Sequence, residues 1–249
     1  MADITGIPLA DRVLIVGLSQ IVVAAILAIL TINLYTRFRE RRLPATKDLT
    51  LVSLFLALAS FMQVLIANTL EPILGVSSLG WGLAFGLTAI ANIFLYAFML
   101  EIFSEGRSSG GTWFKLFVVV EACIAVLLPI VAPLSNIISI FEALLLLVLV
   151  IHLSFSFSLY ITLARWTTTS IRKTSDATAR RGFSLIRLAA FTIIIAFSLF
   201  VLDRVWQIFL EPEGYTIWVI LGWIMSGVGG ILLYSGFVLP RRIRGTKQS

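Results

Sequence analysis

The sequence is poor in the residues from which metal centres and nucleophilic active sites are built. It contains one cysteine, Cys123, and one histidine, His152, in 249 residues. A single cysteine excludes an internal disulfide and a multi-cysteine metal site. A single histidine excludes haem held by two histidines of one chain, and a three-histidine zinc site. Phosphate-binding loops, CxxC redox pairs and nucleotide-binding glycine fingerprints are also missing, and the glycine-rich "SGVGG" (226–230) lies inside an apolar run. Cys123 and His152 fall in different apolar segments with no third group to orient a thiol–imidazole pair. The reading therefore expects no enzyme activity, no cofactor and no metal.

Charge is scarce as well. Charged residues make up 13% of the chain against 59% hydrophobic, with a mean hydropathy of +1.02. Soluble domains carry about 25% charged residues. About 20 consecutive apolar residues suffice to cross a bilayer. The expected fold is an all-α integral membrane protein, a seven-transmembrane helix bundle. Its spans are read at about 12–36, 49–70, 81–103, 114–133, 137–164, 183–210 and 216–239, forming one transmembrane domain over 1–249 with no soluble domain. The first span is read as a retained helix rather than a cleaved signal peptide, because "RFRERR" follows it in place of a small-residue cleavage site.

The basic residues are distributed unevenly. Of nineteen lysines and arginines, seventeen lie in or beside alternate connections and after the last span. Five follow span one (Arg37, Arg39, Arg41, Arg42, Lys47), two flank the third connection, six lie around the fifth, and four follow span seven. The intervening connections "EPILGVSSLG", "PLSN" and "LEPEGY" carry none. Basic loops stay cytoplasmic, which predicts an N-terminus outside and a C-terminus in the cytoplasm. Trp81, Tyr215 and Trp218 then mark outer ends, while Trp113 and Trp166 mark inner ends. The pI near 9.9 reflects this topology and not nucleic-acid binding.

Small residues four apart, Gly82 with Gly86 and Gly222 with Ser226 and Gly230, are expected to bring helix backbones together. Pro129 and Pro133 are expected to end the fourth span, and Ser135-Asn136 to turn the chain into the fifth. Ionisable residues inside a bilayer are costly and face the protein interior. Glu71, Glu142, Asp203, Arg204, Trp206 and Gln207, with Trp223, are candidates for an outer polar pocket or for an ion-pair network that fastens helix ends. Gln63, Asn92, Glu121 and His152 lie deeper. Glu142, His152 and Glu121 also offer a proton or ion path, and His152 is read as hydrogen-bonded to a neighbouring helix.

Seven spans, an outside N-terminus and about 250 residues resemble a microbial rhodopsin. That family attaches retinal to a lysine midway along its last span. Here that span, "YTIWVILGWIMSGVGGILLYSGFVLP", has no lysine, so a retinal Schiff base is excluded. The exit "GFVLPRRIR" (Gly236 to Arg244) is similar to the seven-helix membrane regions of prokaryotic sensor histidine kinases. Few residues follow Pro240, so any signal is expected to pass to a separate protein, with the basic 165–187 loop as the contact for a membrane or cytoplasmic partner or for anionic lipid. The leading expectation is a non-enzymatic receptor-like or sensory module in a prokaryotic plasma membrane, taking a small-molecule or lipid ligand. An accessory subunit of a larger membrane complex, or a small proton-coupled transporter, are the alternatives.

Overall fold

In a computed structural model the chain is all helical among the described residues, which are 9–66, 78–103, 111–135, 137–210 and 216–245. Among the described residues seven helices follow one another: α1 (Leu9–Arg41), α2 (Pro44–Leu65), α3 (Leu79–Phe103), α4 (Thr112–Leu134), α5 (Ser139–Lys173), α6 (Ala177–Leu210) and α7 (Ile217–Gly245). Each is long and apolar enough to cross a membrane. Its large apolar side chains divide accordingly. On α1, Val16, Val23, Leu27, Leu30 and Leu34 are buried at three- and four-residue spacing, while Leu14, Leu18, Ile29 and Ile32 are more than half exposed. Helices that show leucine and isoleucine outward on this scale are in contact with lipid, since water would make such faces aggregate.

Several helices run past the apolar segments that mark them in sequence. α1 continues to Arg41, and the next residue, Arg42, breaks it with φ 52°. Pro44 then occupies the first turn of α2, where its missing N–H costs nothing. The 165–187 segment is not a loop. α5 continues to Lys173, α6 starts at Ala177, and only 174–176 connect them. Apolar runs end where lipid ends, but a helix needs a breaker or cap to stop it. Here Asp176 provides the start of α6, its carboxylate accepting the Thr178 backbone N–H at 2.9 Å.

The prolines of α4 stand in its last two turns, and the helix ends one residue past Pro133, close to the expected end. Pro129 and Pro133 lie inside the helix, which extends to Leu134. Pro129 cannot donate to the Ala125 carbonyl one turn back. That carbonyl oxygen instead lies 2.8 Å from where a Cβ on Gly86 of α3 would stand. Absence of a side chain on α3 thus admits the irregular carbonyl of α4.

The chain divides into two compact units, and the division falls within α1 and α5. Unit 2 (Ala24–Leu159) holds α2, α3, α4 and most of α5. Its core is Ala89, Ile124, Leu128, Val148 and Leu149, flanked by Trp81, Phe85 and Val120. Gly82 lies against the Leu128 carbonyl, which a Cβ would approach to 2.5 Å. Phe55 of α2 stacks on Phe94 of α3, and Thr31 donates to Ser53 at 3.0 Å.

Unit 1 (Met1–Val23 with Tyr160–Ser249) is built on the α6–α7 pair. Three glycines of α7, each seven residues from the next, make its close contacts. Gly222 meets the Phe200 ring, Gly229 meets Ile193, and Gly236 meets the Gly182 carbonyl and Ile186. Ser226 turns its hydroxyl back to the Gly222 carbonyl at 2.9 Å. Gly227 of α7 faces Val23 of α1.

Candidate functional site: a buried carboxylate–imidazole centre

Within unit 2, four polar side chains from three helices meet in an otherwise apolar interior. Asn92 (α3) is 1% exposed, and Glu121 (α4), His152 and Ser156 (α5) are 0% exposed. Residues 152 and 156 are one helical turn apart and so share a face of α5. Glu121 lies nine residues into α4, about 13 Å along its axis, well inside the apolar length.

The geometry follows from the donor and acceptor capacities of each group. Glu121 accepts at both oxygens: Oε2 lies 3.0 Å from His152 Nδ1, and Oε1 receives Asn92 Nδ2 at 3.2 Å. The second hydrogen of the Asn92 amide goes to Ser156 Oγ at 2.9 Å. One carboxylate is thereby held by a ring nitrogen and an amide from two different helices, and that amide is itself tied back to α5. A buried carboxylate is tolerable only with such donors.

The surroundings are aromatic and apolar. The Phe85 ring meets the His152 ring edge-on with centroids 5.8 Å apart, and Phe85 in turn touches Trp81. Below the centre, Phe117 lies between Tyr96 and Phe155. His152 Nε2 is buried and has no hydrogen-bond partner among the described residues. The imidazole therefore has one nitrogen committed to Glu121 and one in reserve.

The other sequence candidates fall elsewhere. Asp203 on α6 is 2% exposed and accepts a short hydrogen bond from the Thr216 hydroxyl, which also receives the Trp218 backbone N–H at 3.2 Å. Asp203 thus ties the end of α6 to the start of α7, where Trp206 and Trp218 also meet edge-on with ring centroids 6.2 Å apart. Arg204 and Gln207 lie on α6, and their side chains are outside the described set. Glu71 is outside the described residues, and so are the Asn136 of the expected turn and the Tyr215 read as an interface marker. Glu142 is exposed in the first turn of α5. Gln63 is buried on α2. Cys123 is exposed, so no thiol faces the buried imidazole. Ser154 and Ser158 bond back to carbonyls of α5. Among the described residues no three His, Cys, Asp or Glu side chains are grouped to hold a metal.

The sequence reading placed Asn92, Glu121 and His152 in the membrane but did not join all three, and it left out Ser156. The i, i+4 spacing of Ser156 from His152 was the available signal.

Fold and composition define a multi-pass integral membrane protein with seven membrane-spanning helices in contact with lipid. Comparison with protein-family models, with curated proteins and with solved structures gives no match. Function has to be argued from the site itself.

Proposed function

We propose that the chain is a non-enzymatic, receptor-like sensory membrane protein that signals through a separate partner. The observation that carries this reading is the Asn92–Glu121–His152–Ser156 centre. Burying a carboxylate and an imidazole together contributes little net stability compared with an apolar core of the same volume. Its best-attested use is to fix one of two arrangements, because moving one proton or one hydrogen bond changes which helices are tied together.

The centre also has a physical route outward. His152 and the cations Arg165, Arg172 and Lys173 lie on one continuous helix, α5. The six cations of 165–187 face a single acidic residue in that stretch, Asp176, so an acidic partner or anionic headgroups suit this end. By the distribution of basic residues we place this hairpin in the cytoplasm and the N-terminus outside, in a prokaryotic plasma membrane.

The test is amide hydrogen exchange of 165–187 in the wild type and in Glu121→Gln, which keeps the hydrogen-bonding shape while removing the charge. The reading expects exchange in this stretch to change several-fold with the helices elsewhere intact. An unchanged hairpin on an intact fold would remove the transmission and leave the accessory-subunit reading. The same Glu–His pair favours proton-coupled transport as a second reading, which requires proton uptake into vesicles that Glu121→Gln abolishes.

A further inference from the structure

Unit 1 contains two buried donors with nothing to donate to. Gln20 Nε2 on α1 and Trp223 Nε1 on α7 are both closed to solvent, and neither has a hydrogen-bond partner among the described residues. Gln20 is only 1% exposed and occupies the buried stripe of α1, between Val16 and Val23.

The two donors stand at one level of the same helix pair. Val16 packs with Val219 and Ile220, and Val23 faces Gly227. Gln20 lies one turn beyond Val16, and Trp223 one turn beyond Val219. Both precede the Val23–Gly227 contact, so the register of α1 on α7 puts them at one level of the helix pair. Their surroundings are apolar: Trp223 packs on the Val16–Val219–Ile220 cluster and meets the Phe200 ring edge-on at 5.4 Å.

Leaving two amide- or indole-type donors dry and unpaired is unfavourable, a cost that apolar side chains would not carry. A sequence that keeps them there has a use for an acceptor. Depth limits what that acceptor is. Gln20 lies eleven residues beyond the first residue of α1 and Trp223 six beyond that of α7, which is about 9 Å or more along each axis. That is below the level of lipid ester oxygens at the edge of a hydrocarbon layer about 30 Å thick. Leu18 and Ile21 on α1, with Leu221 and Ile224 on α7, are exposed beside the donors and open this level to the bilayer.

We infer that α1 and α7 form a binding site for a lipophilic small molecule bearing a carbonyl or ether oxygen, which enters from the bilayer and accepts hydrogen bonds from Gln20 and Trp223. The site stands on unit 1 alone and goes beyond the function proposed from the Glu121 centre.

The experiment uses the full chain in phosphatidylcholine nanodiscs, with benzophenone as a photoreactive lipophilic ketone. Irradiation should label peptides covering 14–24 or 219–227 saturably. Fluorenone should compete, and fluorene, of the same shape without the carbonyl, should not. Gln20→Leu with Trp223→Phe should cut the labelling roughly tenfold or more. Gln20→Leu alone, which is close to volume-conserving, should hold or raise the ligand-free Tm, because it removes a donor that the empty protein leaves unpaired. Labelling that ignores the carbonyl, that fails to saturate, or that persists in the double variant would overturn the site. A Gln20→Leu variant with a lowered Tm and unchanged labelling would overturn the site in favour of a buried water that serves the two donors as a structural element.

Discussion

Glu121 owes its place inside α4 to donors supplied by two other helices, and each donor loses its partner if the carboxylate is removed. Glu121→Leu therefore strands His152 Nδ1 and one hydrogen of Asn92 and should cost about 1–3 kcal/mol. Because the residues act as one network, Glu121→Leu and His152→Phe should be non-additive, with a coupling of about 0.6–2 kcal/mol in a double-mutant cycle of reversible unfolding in detergent. Strict additivity would mean that the two side chains are neighbours without being partners. At Asp203 the argument predicts a split between substitutions. Asp203→Asn keeps an acceptor for Thr216 and should be mild, whereas Asp203→Leu leaves the buried Thr216 hydroxyl without this acceptor and should cost about 1–3 kcal/mol. Equal losses in thermal unfolding would contradict the staple. Sequence showed these residues to be intramembrane and ionisable, since rarity in an apolar run is visible without coordinates. It did not show the partners, because Glu121 and Ser156 lie 29 and 64 residues from Asn92 in the chain, and only packing brings them together.

Elements pack where glycine lets them, and the cost of filling each gap depends on what stands opposite. A Cβ on Gly82 would stand 2.5 Å from the Leu128 carbonyl, a backbone atom that cannot turn aside. Gly82→Ala should force α3 and α4 apart and cost about 1–3 kcal/mol. Gly111 has open space around its Cβ position, and Gly111→Ala should stay within about 0.5 kcal/mol. Comparable losses at the two sites would remove close backbone approach as the reason for glycine at 82. The four-residue glycine pattern was legible in α3, but in α7 the glycines that meet α6 are seven apart, a spacing hidden behind the more obvious Gly222–Ser226–Gly230 series. The prolines of α4 mark its end to within one residue, although the helix continues through Pro129. Proline breaks helices when the freed carbonyl has nowhere to go, and in lipid a neighbouring helix without a side chain can receive it.

At the scale of the whole molecule the sequence specified seven spans by length and hydropathy alone, and lipid-facing side chains of the structure fall on them. Orientation is a separate matter, set by basic residues acting during insertion and not by helix packing. A cysteine at the α5–α6 turn decides it: Ser175→Cys, with Cys123→Ala as background, should react with a membrane-impermeant maleimide in cells only after permeabilisation. Labelling of intact cells would reverse the topology and with it the placement of the basic hairpin. The account turns most of all on the imidazole of His152, and the chain offers an unusual opportunity, since every histidine signal comes from that one ring. The decisive measurement is nitrogen-15 NMR of histidine-labelled protein in nanodiscs, wild type and Glu121→Leu. The account predicts one ring whose Nδ1 hydrogen is strongly hydrogen-bonded and protected from exchange with deuterium, and which loses both properties in the variant. A ring that exchanges freely, or one indifferent to Glu121→Leu, would contradict a buried carboxylate–imidazole centre.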